Sequence, residues 1–226
     1  MPIEHVKPEY QVTIGSAYFC IIENRDNNVI NYRNTVFEVP TIKTQGVTRV
    51  VSELEVYASG ILFDYINRTA GANINLNAVT LPQFLLNDLE GATEQGGFTF
   101  NRTNDLEKEF AYGYWGENSD GSLVYYWHPV CKLIPTEENH QTRTADIPEP
   151  QRNYNIKIIP YNGLWRVKYS TSKAIEEGLT PKTIGDFFST PIYQENQLGL
   201  SGFSAPILGQ KGSVKEGSVK DEISTK

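Results

Sequence analysis

His128 and Cys131 come nearest to chemistry in this chain. An imidazole three positions from a thiol could serve as a base–nucleophile pair or hold a soft metal. Both belong to Leu123-Val124-Tyr125-Tyr126-Trp127-His128-Pro129-Val130-Cys131-Lys132-Leu133, which reads as a strand, and residues three apart in a strand point to opposite faces. The pair is therefore expected to be structural. His5 and His140 fall in polar segments, and Cys20 and Cys131 lack metal-ligand spacing, so both thiols are expected reduced in the core. Glu137-Glu138 and Asp88/Glu90 read as solvated charges of a loop and a helix end. There is no Gly-x-Ser-x-Gly elbow, no phosphate-binding glycine loop and no His-Glu-x-x-His. Catalysis is not expected, and neither is a metal or a cofactor. Exposed Tyr and Trp could build a sugar-binding platform, which keeps a carbohydrate- or receptor-binding β-sandwich open as the alternative function.

Any such group must be carried by sheet. Aromatics make up 12% of the 226 residues, led by thirteen Tyr, and rings suit a half-buried pleated surface. The net charge of −7 disfavours nucleic-acid binding through a basic surface. No apolar run approaches the roughly 18 residues of a membrane span, and the first residues carry no signal-like apolar segment, so folding in a cytoplasm is expected. Without a signal segment, the glycosylation triplets Asn67-Arg68-Thr69 and Asn101-Arg102-Thr103 carry little weight.

The chain is organised around residues 50–91. Val50 to Tyr57 alternates, and Ala72 to Val79 alternates with three asparagines on its polar side, so two antiparallel strands are expected. Residues 58–71 between them exceed any hairpin turn and are too apolar for disorder. They are expected to form a projecting arm of about 20 Å, whose tip residues Ile61, Leu62, Phe63, Tyr65 and Ile66 contact another subunit, with packing back over the chain's own core as the alternative. Thr80, Pro82 and Gly91 then bound a helix of about residues 81–90 with a stripe of Leu81, Phe84, Leu85 and Leu89.

Around this unit, residues 1–12 read as an N-terminal arm, 13–205 as one β domain and 206–226 as a polar tail with four lysines against three acids from Gly209 onward. Strands are expected at Ser16–Glu23, Thr35–Val39, Phe98–Asn101, Phe110–Trp115 and Leu123–Leu133, the last bulged or at an edge because of Pro129. Residues 41–49 read as loop or irregular strand, 92–97 as a polar loop and 135–152 as a second excursion. Asn118 to Ser122 marks a tight hairpin, and Tyr154–Ile159 with Leu164–Tyr169 gives the strongest hairpin signal. Thr180 and Pro181 open a second short helix of about 181–188.

The order of these segments, from Leu54 to Gly91 through Phe110–Trp115, Leu123–Leu133 and Asn162-Gly163-Leu164-Trp165 to Thr180-Pro181-Lys182-Thr183-Ile184-Gly185-Asp186-Phe187-Phe188, resembles the major tail proteins of long-tailed bacteriophages. The likeness covers about residues 13–192 and lies in segment order and character. It implies a β-sandwich or barrel with a flanking helix. It also implies six copies closing a ring, rings stacking into the tail tube, and DNA passing through the lumen without specific binding. Partners implied by the family are further copies of the chain, a tape measure protein, and tail terminator and distal tail proteins; the location is the virion tail, assembled in the host cytoplasm. An acidic lumen would repel phosphate, and Glu53 and Glu55, on the more polar face of their strand, are the candidate lumen-facing acids.

Overall fold

A computed structural model describes residues 10–26, 29–58, 61–135 and 151–198. The chain divides into two compact units, Met1–Tyr193 and Gln194–Lys226; the described part of the second holds a single 3₁₀ turn, Glu195–Leu198. The first unit contains β1 (Gln11–Arg25), β2 (Ile30–Tyr32), β3 (Phe37–Val39), β4 (Ile42–Ala58), β5 (Ile61–Ala78), α1 (Gln83–Glu90), β6 (Thr93–Gln95) and β7 (Phe98–Phe100). After these come β8 (Phe110–Asn118), β9 (Leu123–Ile134), β10 (Arg152–Ile158), β11 (Val167–Ser170), α2 (Thr171–Glu176) and α3 (Ile184–Phe188). Strands hold 56% of the chain against 13% for helices, so the protein is mainly β, as its aromatic composition implies.

The main sheet runs β2-β1-β8-β9-β10-β5-β4, with β3 also on β1 and β11 also on β9. Only Pro40 and Thr41 separate β3 from β4. β3 pairs with β1 through Val39↔Ala17, the Thr41 carbonyl accepts from Val79 N–H, and β4 continues along β5 from Ile42↔Ala78. The chain changes partner at a proline, where a missing N–H interrupts a ladder anyway, and the sheet returns to its first strand. The sheet thus curls into a barrel, with the β3–β4 segment bridging β1 and β5.

Period-two alternation then fills the interior. Ala17, Phe19 and Ile21, Ile74 and Leu76, Phe110 and Tyr112, and Ile156 and Ile158 are buried in one cluster, and Leu81, Leu85, Leu86 and Leu89 of the α1 segment complete it. α1 ends at Gly91, whose φ of 76° is the left-handed conformation glycine adopts most easily. The N–H of Ala92 then donates to the Asn87 carbonyl. On the outside, α3 packs across β1, β8 and β9: Phe188 stacks on Tyr18 at 4.0 Å, and Trp127 Nε1–H donates to the Phe187 carbonyl at 3.2 Å. Gly113 makes this approach possible, because a Cβ there would lie 2.8 Å from both Phe188 and Trp127.

Several expectations need correction. Residues 58–71 are not a loop between strands 50–57 and 72–79. β4 and β5 form one long hairpin in register from Ile42↔Ala78 to Ala58↔Ile61, because the apolar residues that argued against disorder are also strand formers. Residues 42–49, within the stretch expected as loop or irregular strand, are the first half of β4. The hairpin signal at 154–169 yields a turn, with a Tyr161↔Leu164 bridge, but its flanks do not pair with each other. β10 and β11 follow one another along the same edge of β9, and residues 159–166 bulge out between them. Ordered strand reaches back to Gln11 within the expected N-terminal arm, and 92–97 contains β6, paired with β7 across Gly96 and Gly97.

The helices shift too. α1 begins at Gln83 with Pro82 as a cap that has no side-chain bond; Leu86 is buried while Phe84 is 53% exposed. α3 begins after Thr183, whose Oγ1 accepts from Asp186 N–H, rather than after Thr180, and α2 was not expected. Residues 1–9, 136–150 and 199–226, including most of the second excursion and the polar tail, lie outside the described residues.

Candidate functional site

His128 and Cys131 do not form a site. Phe110 faces Cys131 and Tyr112 faces His128, so two steps on β8 match three on β9, a bulge at Pro129 and Val130. The bulge turns His128 and Cys131 to the same side, contrary to the opposite faces expected of a regular strand. Even so, the Cys131 thiol donates to the His128 carbonyl at 3.7 Å and not to its ring. Both cysteines are buried and free; burial pushes the Cys131 thiol up and the Cys20 thiol up to about 11, so neither is a nucleophile.

His128 is fully buried between the rings of Tyr112, Tyr114 and Trp165. Its Nδ1–H donates to the Trp165 carbonyl at 2.9 Å, since a carbonyl can only accept, and Nε2 has no partner. Burial, helped by the nearby Arg166 charge, lowers its pKa from 6.5 to about 4. A neutral imidazole with no acid beside it among the described residues is a packing element. Among the described residues no group of three or more His, Cys, Asp or Glu gathers to hold a metal.

Trp165 caps this stack. It belongs to the 159–166 bulge and lies against the core, with Arg49 at 5.6 Å on its ring and Arg166 at 4.6 Å. Gln45, Val47 and Arg49 follow one another on the inward side of β4, from Gln45 Oε1, which accepts from Tyr112 Oη–H at 2.5 Å, to Arg49, which is exposed. Arg49 thus emerges where the barrel opens. No sequence signal marked this platform, because it joins residues distant in the chain.

Past Arg49 the hairpin leaves the barrel. β10 accompanies β5 only as far as Ala72↔Ile158, and Gly71 is needed there because a Cβ would lie 2.9 Å from the Ile158 carbonyl. From Val51↔Thr69 to Ala58↔Ile61 the two strands pair only with each other among the described residues, with bulges at Ala70 and Phe63. Eight residues at ~3.3 Å each give a ribbon of about 26 Å. Phe63 is 78% exposed and Tyr65 45%, while Ile66 is half-buried; the side chains of Ile61 and Leu62 lie outside the described residues. Leu54 and Tyr57 on β4 are also exposed. Glu53, Glu55 and Tyr57 share one face, all exposed, and Tyr57 Oη–H donates to Glu55 at 2.6 Å.

A cleft of about 460 Å³ lies between α1 and the β6–β7 hairpin, lined by Gln83, Asn87, Glu94, Gln95, Phe98 and Thr99. Asn87 is buried and bonds Glu94, Thr99 and Gln83. Asp88, one residue on, is held below its usual range: burial pushes it up, and the hydrogen bonds from Lys108 and Arg33 outweigh that. It ties α1 to its neighbours. No helix among the described residues is long and apolar enough to cross a membrane. No protein-family profile matches the chain, and no curated protein sequence matches it.

Proposed function

We propose that this protein is a structural subunit that assembles with copies of itself into rings stacked as a hollow tube, like the major tail proteins of long-tailed phages. The observation that carries the reading is the ribbon of residues 51–69. A two-stranded hairpin is marginal alone in water, and this one presents Leu54, Tyr57, Phe63 and Tyr65 to solvent with both outer edges unpaired among the described residues. Such a ribbon is stabilised by a partner that covers it, and a neighbouring copy always supplies the same surface. The barrel supports the reading as a rigid base, and the buried, unreactive His128 and thiols support a role without catalysis. On this reading the −7 charge keeps DNA from adhering as it passes. Tape measure, terminator and distal tail proteins are the further partners, and the virion tail is the location.

Electron microscopy and sedimentation of the purified protein test it. The wild type is expected to form rings or tubes, and a variant with residues 52–68 replaced by Asn-Gly, joining Val51 to Thr69, is expected to stay monomeric with its fold intact. A wild type that stays monomeric at every concentration refutes the proposal. The cleft beside α1 favours a second reading, because amides, a carboxylate and the 69% exposed Phe98 ring are the groups that hold a sugar. Glycan binding by a monomer would establish it.

A further inference from the structure

Arg49 and Arg166 converge on Trp165, and Arg166 also lies 5.6 Å from the Tyr126 ring. Neither has a carboxylate partner among the described residues, where every ion pair involves other cations. Contact with a ring face holds a guanidinium in place but satisfies none of its N–H donors. In a chain with 27 acids against 20 lysines and arginines, two converging cations without an anion form a receptor for carboxylates.

The complementary group lies on the same strand. Glu53 and Glu55 are exposed on the face of β4 that carries Arg49, and neither has an ion pair among the described residues. Four to six residues at ~3.3 Å put them roughly 13–20 Å from Arg49 along an extended strand. Within one chain they cannot meet.

We infer that the Arg49–Trp165–Arg166 platform of each copy receives the Glu53/Glu55 pair of a neighbouring copy's ribbon. This rests on the self-assembly reading and names the contact that fixes its register. Made head to tail, this contact between two different patches is heterologous and propagates from copy to copy. Guanidinium forks meet carboxylates in paired hydrogen bonds, and the ring that pins the forks lowers the cost of ordering them. A register slipped by one pair sets a fork against Val51 or Tyr57, which carry no charge, and is disfavoured.

Charge reversal in trans tests the contact. Glu53→Lys/Glu55→Lys and Arg49→Glu/Arg166→Glu are each expected to raise the concentration needed for assembly at least tenfold at low salt. An equimolar mixture of the two is expected to co-assemble, since each then offers what the other lacks, and the fourfold swap is expected to assemble alone. Near-UV circular dichroism reports folding, and Arg49→Gln/Arg166→Gln replaces the reversal if that misfolds, with loss of salt dependence as its readout. Reversed variants that assemble like the wild type, or folded ones that the mixture fails to rescue, overturn the inference and leave the tube reading standing. A wild type that never assembles overturns the tube reading itself. Duplex DNA is the remaining probe: binding that disappears in Arg49→Glu/Arg166→Glu would assign the platform to phosphate and overturn the inference.

Discussion

Acidification tests the interior through His128. In the folded chain its pKa is about 4 against 6.5 for a free imidazole. A histidine with a lowered folded value is neutral when folded and protonated when unfolded at intermediate pH. The unfolded chain therefore binds the extra proton between those two values, and stability falls as pH falls through that window. At about 1.4 kcal/mol per pH unit, roughly 2.5 kcal/mol is lost between pH 7.5 and pH 4.5. The physical cause is that a protonated Nε2–H would point at no acceptor, between Tyr112, Tyr114 and Trp165 and with Arg166 near. Asp88 acts in a separate window: its lowered value gives stability that disappears only below the usual carboxylate range, near 3.8. Urea unfolding of dilute, unassembled protein at half-unit pH steps measures the slope. His128→Phe, which keeps a ring in the stack, is expected to remove it between pH 6.5 and 4, although the freed Trp165 carbonyl costs about 1–3 kcal/mol at every pH. Parallel curves for wild type and variant would refute the reasoning.

Leu85→Ala deletes a fully buried side chain of α1 and is expected to cost roughly 2–5 kcal/mol in urea unfolding without changing the helix content of the folded state. Gly113→Val drives side-chain carbons into Phe188 and Trp127, so α3 should detach, seen as faster proteolysis near residue 184 and a stability loss of about 1–3 kcal/mol. Cys20, with its pKa pushed up to about 11, and the still more buried Cys131 should resist thiol reagents at neutral pH until the chain unfolds, so labelling rates should follow urea concentration.

The sequence yielded whatever depends on local pattern. The strands at Val50–Tyr57 and Ala72–Val79, the turn at Asn118–Ser122, the αL end of α1 at Gly91 and the bulge at Pro129 all follow from neighbouring residues, although the alternation of Val50–Tyr57 implies a half-buried strand and its described side chains are exposed on both faces. What was lost depends on distant partners. Residues 41–49 hid their strand because the inward positions are Gln45 and Arg49, polar groups whose partners Tyr112 and Trp165 lie far along the chain. The Tyr154–Tyr169 signal gave a turn correctly but could not reveal that β9 is the partner of both flanks. The opposite faces expected of His128 and Cys131 hold only for a regular strand, and the bulge at Pro129 changes that parity. The six-residue α2 shows too little periodicity to read. The arm was legible as a surplus of apolar residues; its strand pairing and the arginine platform at its root were not.

The barrel depends on pairing β1 with β8, strands some ninety residues apart in the chain, whereas the ribbon joins neighbouring segments. Local hairpins zip within microseconds, and distant strands must first overcome the entropy of a long loop. The arm is thus expected to be ready for docking before the body that carries it exists. In a crowded refolding mixture, half-built molecules would hold one another through correct contacts at the wrong time. Yield should then depend steeply on protein concentration, and dilution should restore it where added denaturant alone does not.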